Sequence, residues 1–158
     1  MDKLQHLVEF MTPQLGSEIH VGPWLQITQQ RIDDFAAVTG DEQWIHIDPE
    51  RAQRESPYGA TIAHGYLTLS LLPYLTESNH PDFFQKNYPG MKMRVNYGLN
   101  RLRFPAPVVV NSRIRAHTVL GSATIVKDSV EVVYQITVEL ENSSKPACVA
   151  EFVARLYA

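Results

Sequence analysis

The amino-acid sequence predicts an α+β domain in which an antiparallel sheet wraps around one long, apolar central helix. Apolar residues recur at helical spacing from Gln29 to about Ser78, then alternate at every second position from about Met91 to Tyr157. Between the two halves, Gly65 to Leu75 places Leu67, Leu69, Leu71, Leu72 and Leu75 around nearly the whole circumference of a helix. No polar stripe is left to face water, so this helix reads as buried on all sides.

Taken in order, Ser17 to Ile27 could supply a first strand. A helix is predicted over Gln29 to Val38. Thr28 before it can accept from the unpaired amides of the first turn, and Thr39-Gly40 ends it. Ile32, Phe35 and Ala36 share its inward face, which leaves the rest exposed. Pro73 lies inside the apolar segment and cannot donate to the carbonyl four residues earlier, so a kink or an early helix end is expected there. Ser78 to Gly90 reads as a loop or short helix.

Asn96 to Phe104 reads as a strand ended by Pro105-Ala106-Pro107. In Ser112 to Val126, Ile114, Ala116, Thr118 and Leu120 lie opposite Arg113, Arg115, His117 and Val119. Val130 to Leu140 and Ala147 to Tyr157 repeat the alternation through Val132, Tyr134, Ile136 and Val138, and through Cys148, Ala150, Phe152 and Ala154. One apolar face per strand means a sheet with one wet side. The polar turn formers Lys127-Asp128 and Glu141-Asn142-Ser143-Ser144 join these three strands into a meander, and the expected sheet has five strands.

Length and charge narrow the function classes. A chain of 158 residues can bury roughly 68–70% of the surface it exposes when unfolded, so one domain over residues 1–158 needs neither disulfide nor metal to fold. The single cysteine, Cys148, excludes an internal disulfide and reads as small core filling. Lys plus Arg number 14 against 17 Asp plus Glu, a net charge of -3 with no basic run. Nucleic acid and membrane surfaces are held by basic patches, so neither is an expected partner. No apolar run approaches the roughly 18–20 residues of a membrane span, and MDKLQHLVEF is charged where a leader is apolar; the expected location is the cytoplasm.

The polar residues that could carry chemistry crowd between the two helices. Asp41 follows the helix-ending glycine and could simply be a turn residue or a cap, while His46, between Ile45 and Ile47, could be a satisfied half-buried histidine. Five positions apart on one loop, the pair could instead hold a water between two proton-transfer groups. Gly65 opens the apolar helix, where the first amides lack partners and positive partial charge collects. Its N–H could stabilise an oxygen that turns negative, or the glycine could serve tight packing. His64 reads as structural or positioning. Asp41, His46, Asp48 and His64 match no familiar metal-ligand spacing, so no metal is expected, and Ser70 lacks the glycines of a nucleophile elbow. Arg101 and Arg103 alternate with Leu102 and Phe104 and could both point outward to meet an acidic group.

Thr39-Gly40-Asp41, His46 and Ile62-Ala63-His64-Gly65-Tyr66-Leu67-Thr68, with Asn96-Tyr97-Gly98 and Arg101-Leu102-Arg103-Phe104-Pro105-Ala106-Pro107-Val108, resemble the MaoC-like (R)-specific enoyl-CoA hydratases, in particular their nodulation-protein-N-like branch. The resemblance implies a hot-dog fold and a homodimer or a dimer of dimers. It also implies interconversion of trans-2-enoyl and (3R)-3-hydroxyacyl thioesters, with Asp41 and His46 as the catalytic pair and the Gly65 amide polarising the thioester carbonyl. His64, Tyr66, Asn96 and Arg103 are the substrate-binding residues it suggests, although a strand-end hydrogen bond would equally explain Asn96. No cofactor is implied; coenzyme A or acyl-carrier phosphopantetheine belongs to the substrate. Many members have Asn-Pro two residues after the aspartate, where this chain has Gln43-Trp44, so these residues are expected to bear on acyl-chain preference. Phe83 and Phe84 are expected to border the acyl tunnel. A hot-dog thioesterase and a non-catalytic thioester-binding subunit are the alternative functions.

Overall fold

The computed structural model describes residues 2–158. Its sheet comprises β1 (Glu18–Val21), β2 (Leu25–Gln26), β3 (Met93–Arg103), β4 (Arg113–Val126), β5 (Ser129–Leu140) and β6 (Cys148–Tyr157), in the order β1-β4-β5-β6-β3 with β2 also on β4. Every pairing is antiparallel. The expected meander is β4-β5-β6, and its predicted inward residues are the buried ones, from Ile114 and Ala116 through Val132 and Val138 to Ala154 and Leu156. The outer face carries cross-strand ion pairs, Arg113 with Glu141, Arg115 with Glu139 and Arg155 with Glu131. Half-exposed pairs of this kind add little stability but keep that face wet.

The expected first strand divides in two. At Gly22 the backbone passes so close to the end of the central helix that a Cβ would fall 1.8 Å from the Leu75 carbonyl oxygen. Only glycine allows that approach. Pro23 follows, with no N–H to give to a ladder.

α2 (Gln29–Thr39) has the predicted caps: the Thr28 hydroxyl accepts from the Arg31 amide, and Gly40 ends the helix at φ 80°. Short helices α3 (Trp44–Ile47) and α4 (Pro49–Glu55) follow. The central helix then runs as α5 (Gly65–Ser70) and α6 (Leu72–Leu75), divided at Leu71 with Pro73 in the first turn of the second piece. The proline therefore restarts the helix, as its missing donor requires. Burial on all sides does not hold within one chain. Leu67, Leu72 and Leu75 are buried, but Tyr66 is 66% exposed and Tyr74 57%. The sheet covers one side of the helix, and the face bearing these two tyrosines is open.

Two further helices complete the layer. α7 (Pro81–Asn87) lies in the segment expected as loop or short helix. α1 (Lys3–Met11) was not anticipated, yet its buried Leu4, Leu7 and Met11 recur at helical spacing and pack on β4 and β5. Together the helices and the inner face of the sheet enclose one apolar cluster. At the far side β3 pairs only with β6, and its other edge leaves Met93, Val95, Tyr97 and Leu99 exposed. Among the described residues no helix is long and apolar enough to cross a membrane.

Candidate active site

Three backbone devices bring the polar residues together. The left-handed Gly40 turns the chain out of α2 and delivers Asp41. The single turn of α3 rotates His46 inward, where it is only 6% exposed. Residues 61–63 are pinned against 108–110: the Ala63 amide donates to the Val108 carbonyl at 2.8 Å and the Val110 amide to Thr61 at 2.9 Å. The Ile62 amide donates back to the Ile45 carbonyl, which locks this segment to α3 as well.

The pinned Ile62 carbonyl is 2.7 Å from Nδ1 of His46. A carbonyl can only accept, so Nδ1 carries the hydrogen and Nε2 of the neutral ring is bare. The Gln29 side-chain amide donates to the His46 carbonyl at 2.7 Å, and its oxygen accepts from the Thr61 hydroxyl. α2, α3 and the pinned segment thus hold His46 from three sides.

His64 stacks on His46, with ring centroids 3.8 Å apart and planes inclined by 24°, and Phe35 meets it edge-on. Its Nε2 donates to the Asp41 backbone carbonyl at 2.8 Å, while its buried Nδ1 has no protein partner. His64 therefore joins the Asp41 turn to the His46 ring. Burial is the largest influence on His46 and lowers its pKa from the ordinary 6.5. The hydrogen bond to Ile62 raises it, the neighbouring His64 lowers it and the Asp41 carboxylate raises it, with a net downward shift. His46 is therefore a neutral base at pH 7.

Asp41, His46, His64, Gly65 and Tyr66 line one cavity of about 480 Å³ with Phe35, Thr39 and Phe104. That volume suits a small-molecule substrate. Gly65 heads α5 with no side chain capping it, and a Cβ there would lie 2.8 Å from the Phe104 ring. Both readings of this glycine meet here: the ring packs against its Cα while its amide belongs to the helix end at the cavity. The ligating atoms of Asp41, His46 and His64 lie within 4.8 Å of one another and could in principle hold a metal. His46 Nε2 and His64 Nδ1 are both left bare by their hydrogen bonds to backbone carbonyls, so each ring has one nitrogen free to accept a proton or to ligate.

Asn96 and Arg103 are not brought into this cavity. Arg103 adjoins Phe104 but lies with Arg101 on a separate groove of about 350 Å³ on the sheet. Asn96 sits on the open edge of β3, roughly 23 Å along the strand from Arg103. Gln43 and Trp44, expected to shape the pocket, do not line it; the Trp44 ring faces the Arg51 guanidinium at 4.3 Å. Phe83 lines a different chamber beside β1. Sequence reasoning missed Gln29, whose polar side chain on an otherwise ordinary first helical turn gives no sign of a partner in a distant loop.

A sheet folded around a central helix, with an Asp-His pair beside the helix start, defines a hot-dog protein. Residues 11–142 match the MaoC like domain family, and the chain belongs to it. It is 47% identical over 144 residues to 3-hydroxyacyl-thioester dehydratase Z of Mycobacterium tuberculosis, covering 90% of this chain and 91% of that one. Nodulation protein N of Rhizobium leguminosarum bv. viciae is 43% identical over 140 residues, 88% of this chain and 84% of that one. An R-hydratase from Pseudomonas aeruginosa shares the fold, with a TM-score of 0.67 at 20% identity over 94% of this chain and 84% of that one.

Titration of the histidine ring protons by NMR should give His46 a midpoint below 6.5. His64→Phe keeps a ring in the stack and removes its charge, so it should move that midpoint upward. A wild-type value at or above 6.5, or no response to His64→Phe, would contradict the electrostatic account.

Proposed function

We propose that this protein adds water reversibly to a trans-2-enoyl thioester, giving the (3R)-3-hydroxyacyl thioester. The observation that carries the proposal is the bare Nε2 of a neutral, buried His46 grouped with the Asp41 carboxylate in one cavity with Gly65. His46 and Asp41 hold one water between them. As the water oxygen bonds to C3, the C2–C3 π electrons shift towards the thioester carbonyl and His46 takes a proton from the water; the protonated His46 then gives that proton to C2 and is a neutral base again. Negative charge that gathers on the thioester oxygen meets the Gly65 amide. Dehydration is the same path reversed. Addition of water changes no oxidation balance between reactants, so the reaction calls for no redox cofactor, and the Asp-His pair supplies the proton transfer without a metal. Membership of the MaoC-like family and 47% identity to a 3-hydroxyacyl-thioester dehydratase support this reading.

Tyr66, exposed over the cavity mouth beside Phe104, would flank the acyl thioester. The substrate handle is coenzyme A or carrier-bound phosphopantetheine. Arg101 and Arg103, which make no ion pair among the described residues, would meet the phosphates of coenzyme A in the groove next to Phe104. The open edge of β3 suits a second copy of the chain. Long exposed apolar edge strands invite pairing, so the working form is a homodimer, alone or as a dimer of dimers, acting in the cytoplasm. Asn96 on this edge would serve at the junction between copies.

Loss of the conjugated enoyl-thioester absorbance with crotonyl-CoA should slow by about 10²–10⁴ in both Asp41→Asn and His46→Ala. Equal rates in all three proteins would reject the pair, and release of free thiol from a saturated acyl-CoA would point to a thioesterase. For the groove, Arg101→Ala/Arg103→Ala should raise KM for crotonyl-CoA and leave turnover of crotonyl-pantetheine unchanged. An unchanged KM on crotonyl-CoA would remove these arginines from substrate binding.

A further inference from the structure

Gln29 does not line the active-site cavity, yet its side-chain amide makes three hydrogen bonds around His46. It stands in the first turn of α2. Nε2 donates to the His46 backbone carbonyl at 2.7 Å and to Oδ1 of Asp33 at 2.9 Å, and Oε1 accepts from the Thr61 hydroxyl. An amide nitrogen has two hydrogens, so both are spent. Turned over, the amide would set its oxygen against a carbonyl and a carboxylate, two acceptors, so its orientation is fixed.

These bonds meet His46 at both of its anchors. α3 is a single turn, and the last carbonyls of a helix have no partner within it. Gln29 satisfies the one at His46, a buried residue where an unpaired carbonyl would be costly. On its other side Gln29 holds the buried Thr61, whose own carbonyl accepts from the Val110 amide. Thr61 directly precedes Ile62, whose carbonyl fixes the hydrogen of the His46 ring on Nδ1. One side chain thus spans the gap between the His46 backbone and the segment that its ring must reach. The bond from the Ile62 amide to Ile45 joins the same two segments one residue earlier, so Gln29 supplies the second point of attachment that a fixed angle needs.

We propose that Gln29, acting with Thr61, is a positioning residue for the hydration reaction: it holds the His46 ring against Ile62 so that Nε2 stays bare beside Asp41. The inference rests on His46 acting as the base. A reacting group displaced by about 1 Å can cost about 10² in rate. Because Gln29 does not line the cavity, its loss should fall on turnover and leave substrate binding alone.

Gln29→Met keeps the length of the side chain without its hydrogen bonds, Thr61→Val keeps the shape without the hydroxyl, and Thr61→Ser keeps the hydroxyl. For each, hydration of crotonyl-CoA is measured together with the ¹⁵N spectrum of imidazole-labelled protein at neutral pH. In Gln29→Met kcat should fall about 10- to 100-fold with KM little changed, and part of the His46 rings should carry hydrogen on Nε2. Thr61→Val should move both readouts the same way, and Thr61→Ser should match the wild type. The double variant Gln29→Met/Thr61→Val should be no slower than Gln29→Met, because the two residues act as one unit. Wild-type kcat in Gln29→Met or Thr61→Val, additive losses in the double variant, or a kcat loss with hydrogen still confined to Nδ1 would overturn the proposal. Thr61→Val against Thr61→Ser decides the matter even if Gln29→Met does not fold. A wild type that hydrates no crotonyl-CoA would instead reject His46 as the base of a hydratase, and the ring spectra would still judge the hold of Gln29 on it.

Discussion

The hydrogen bond from His46 to the Ile62 carbonyl sets the chemistry of the site. A carbonyl cannot donate, so this contact decides which ring nitrogen bears the hydrogen and leaves Nε2 free to act as a base. The carbonyl holds its place because residues 61–63 are bonded on one side to the strand-like segment 108–110 and on the other to Ile45. What looks like a loop is therefore as fixed as a sheet edge. Burial completes the arrangement by keeping the ring neutral, and the His64 stack discourages a second positive charge beside it.

The central helix has two separate tasks. Its start presents Gly65 to the cavity, with Phe104 packed where any larger residue would put a side chain. Its end is gripped by the backbone at Gly22, so the helix cannot slide without breaking a contact between main chains. Pro73 divides the helix without shifting its apolar side, because Leu72 and Leu75 resume the inward face that Leu67 began. Its other face, with Tyr66 and Tyr74, and the open edge of β3 are the surfaces a single chain leaves unfinished. A second copy pairing along β3 would extend the sheet and reduce that exposure.

Much of this was legible in the amino-acid sequence. The two-residue period of β4, β5 and β6 named the inward residues, because one face of each strand must be dry, although Val153 on the other face of β6 is buried as well. The caps of α2 were readable for a similar reason: Thr28 and Gly40 answer purely local demands of a helix end. Of the residues the resemblance suggested, Asp41, His46, His64, Gly65 and Tyr66 line one cavity, and Asn96 and Arg103 do not. Burial of the central helix was overstated, since periodicity counts apolar residues without knowing which side the sheet covers. The Gln29 contact to His46 and the orientation of Trp44 towards Arg51 were not legible at all. Both depend on partners brought near only by folding.

The chemistry of the site turns on one proton. Locating the hydrogen on the His46 ring at neutral pH, by ¹⁵N chemical shifts of imidazole-labelled protein or by neutron diffraction, tests it most directly. The expected result is a neutral ring with hydrogen on Nδ1 and none on Nε2. A hydrogen on Nε2, in either the other tautomer or the doubly protonated ring, would contradict it.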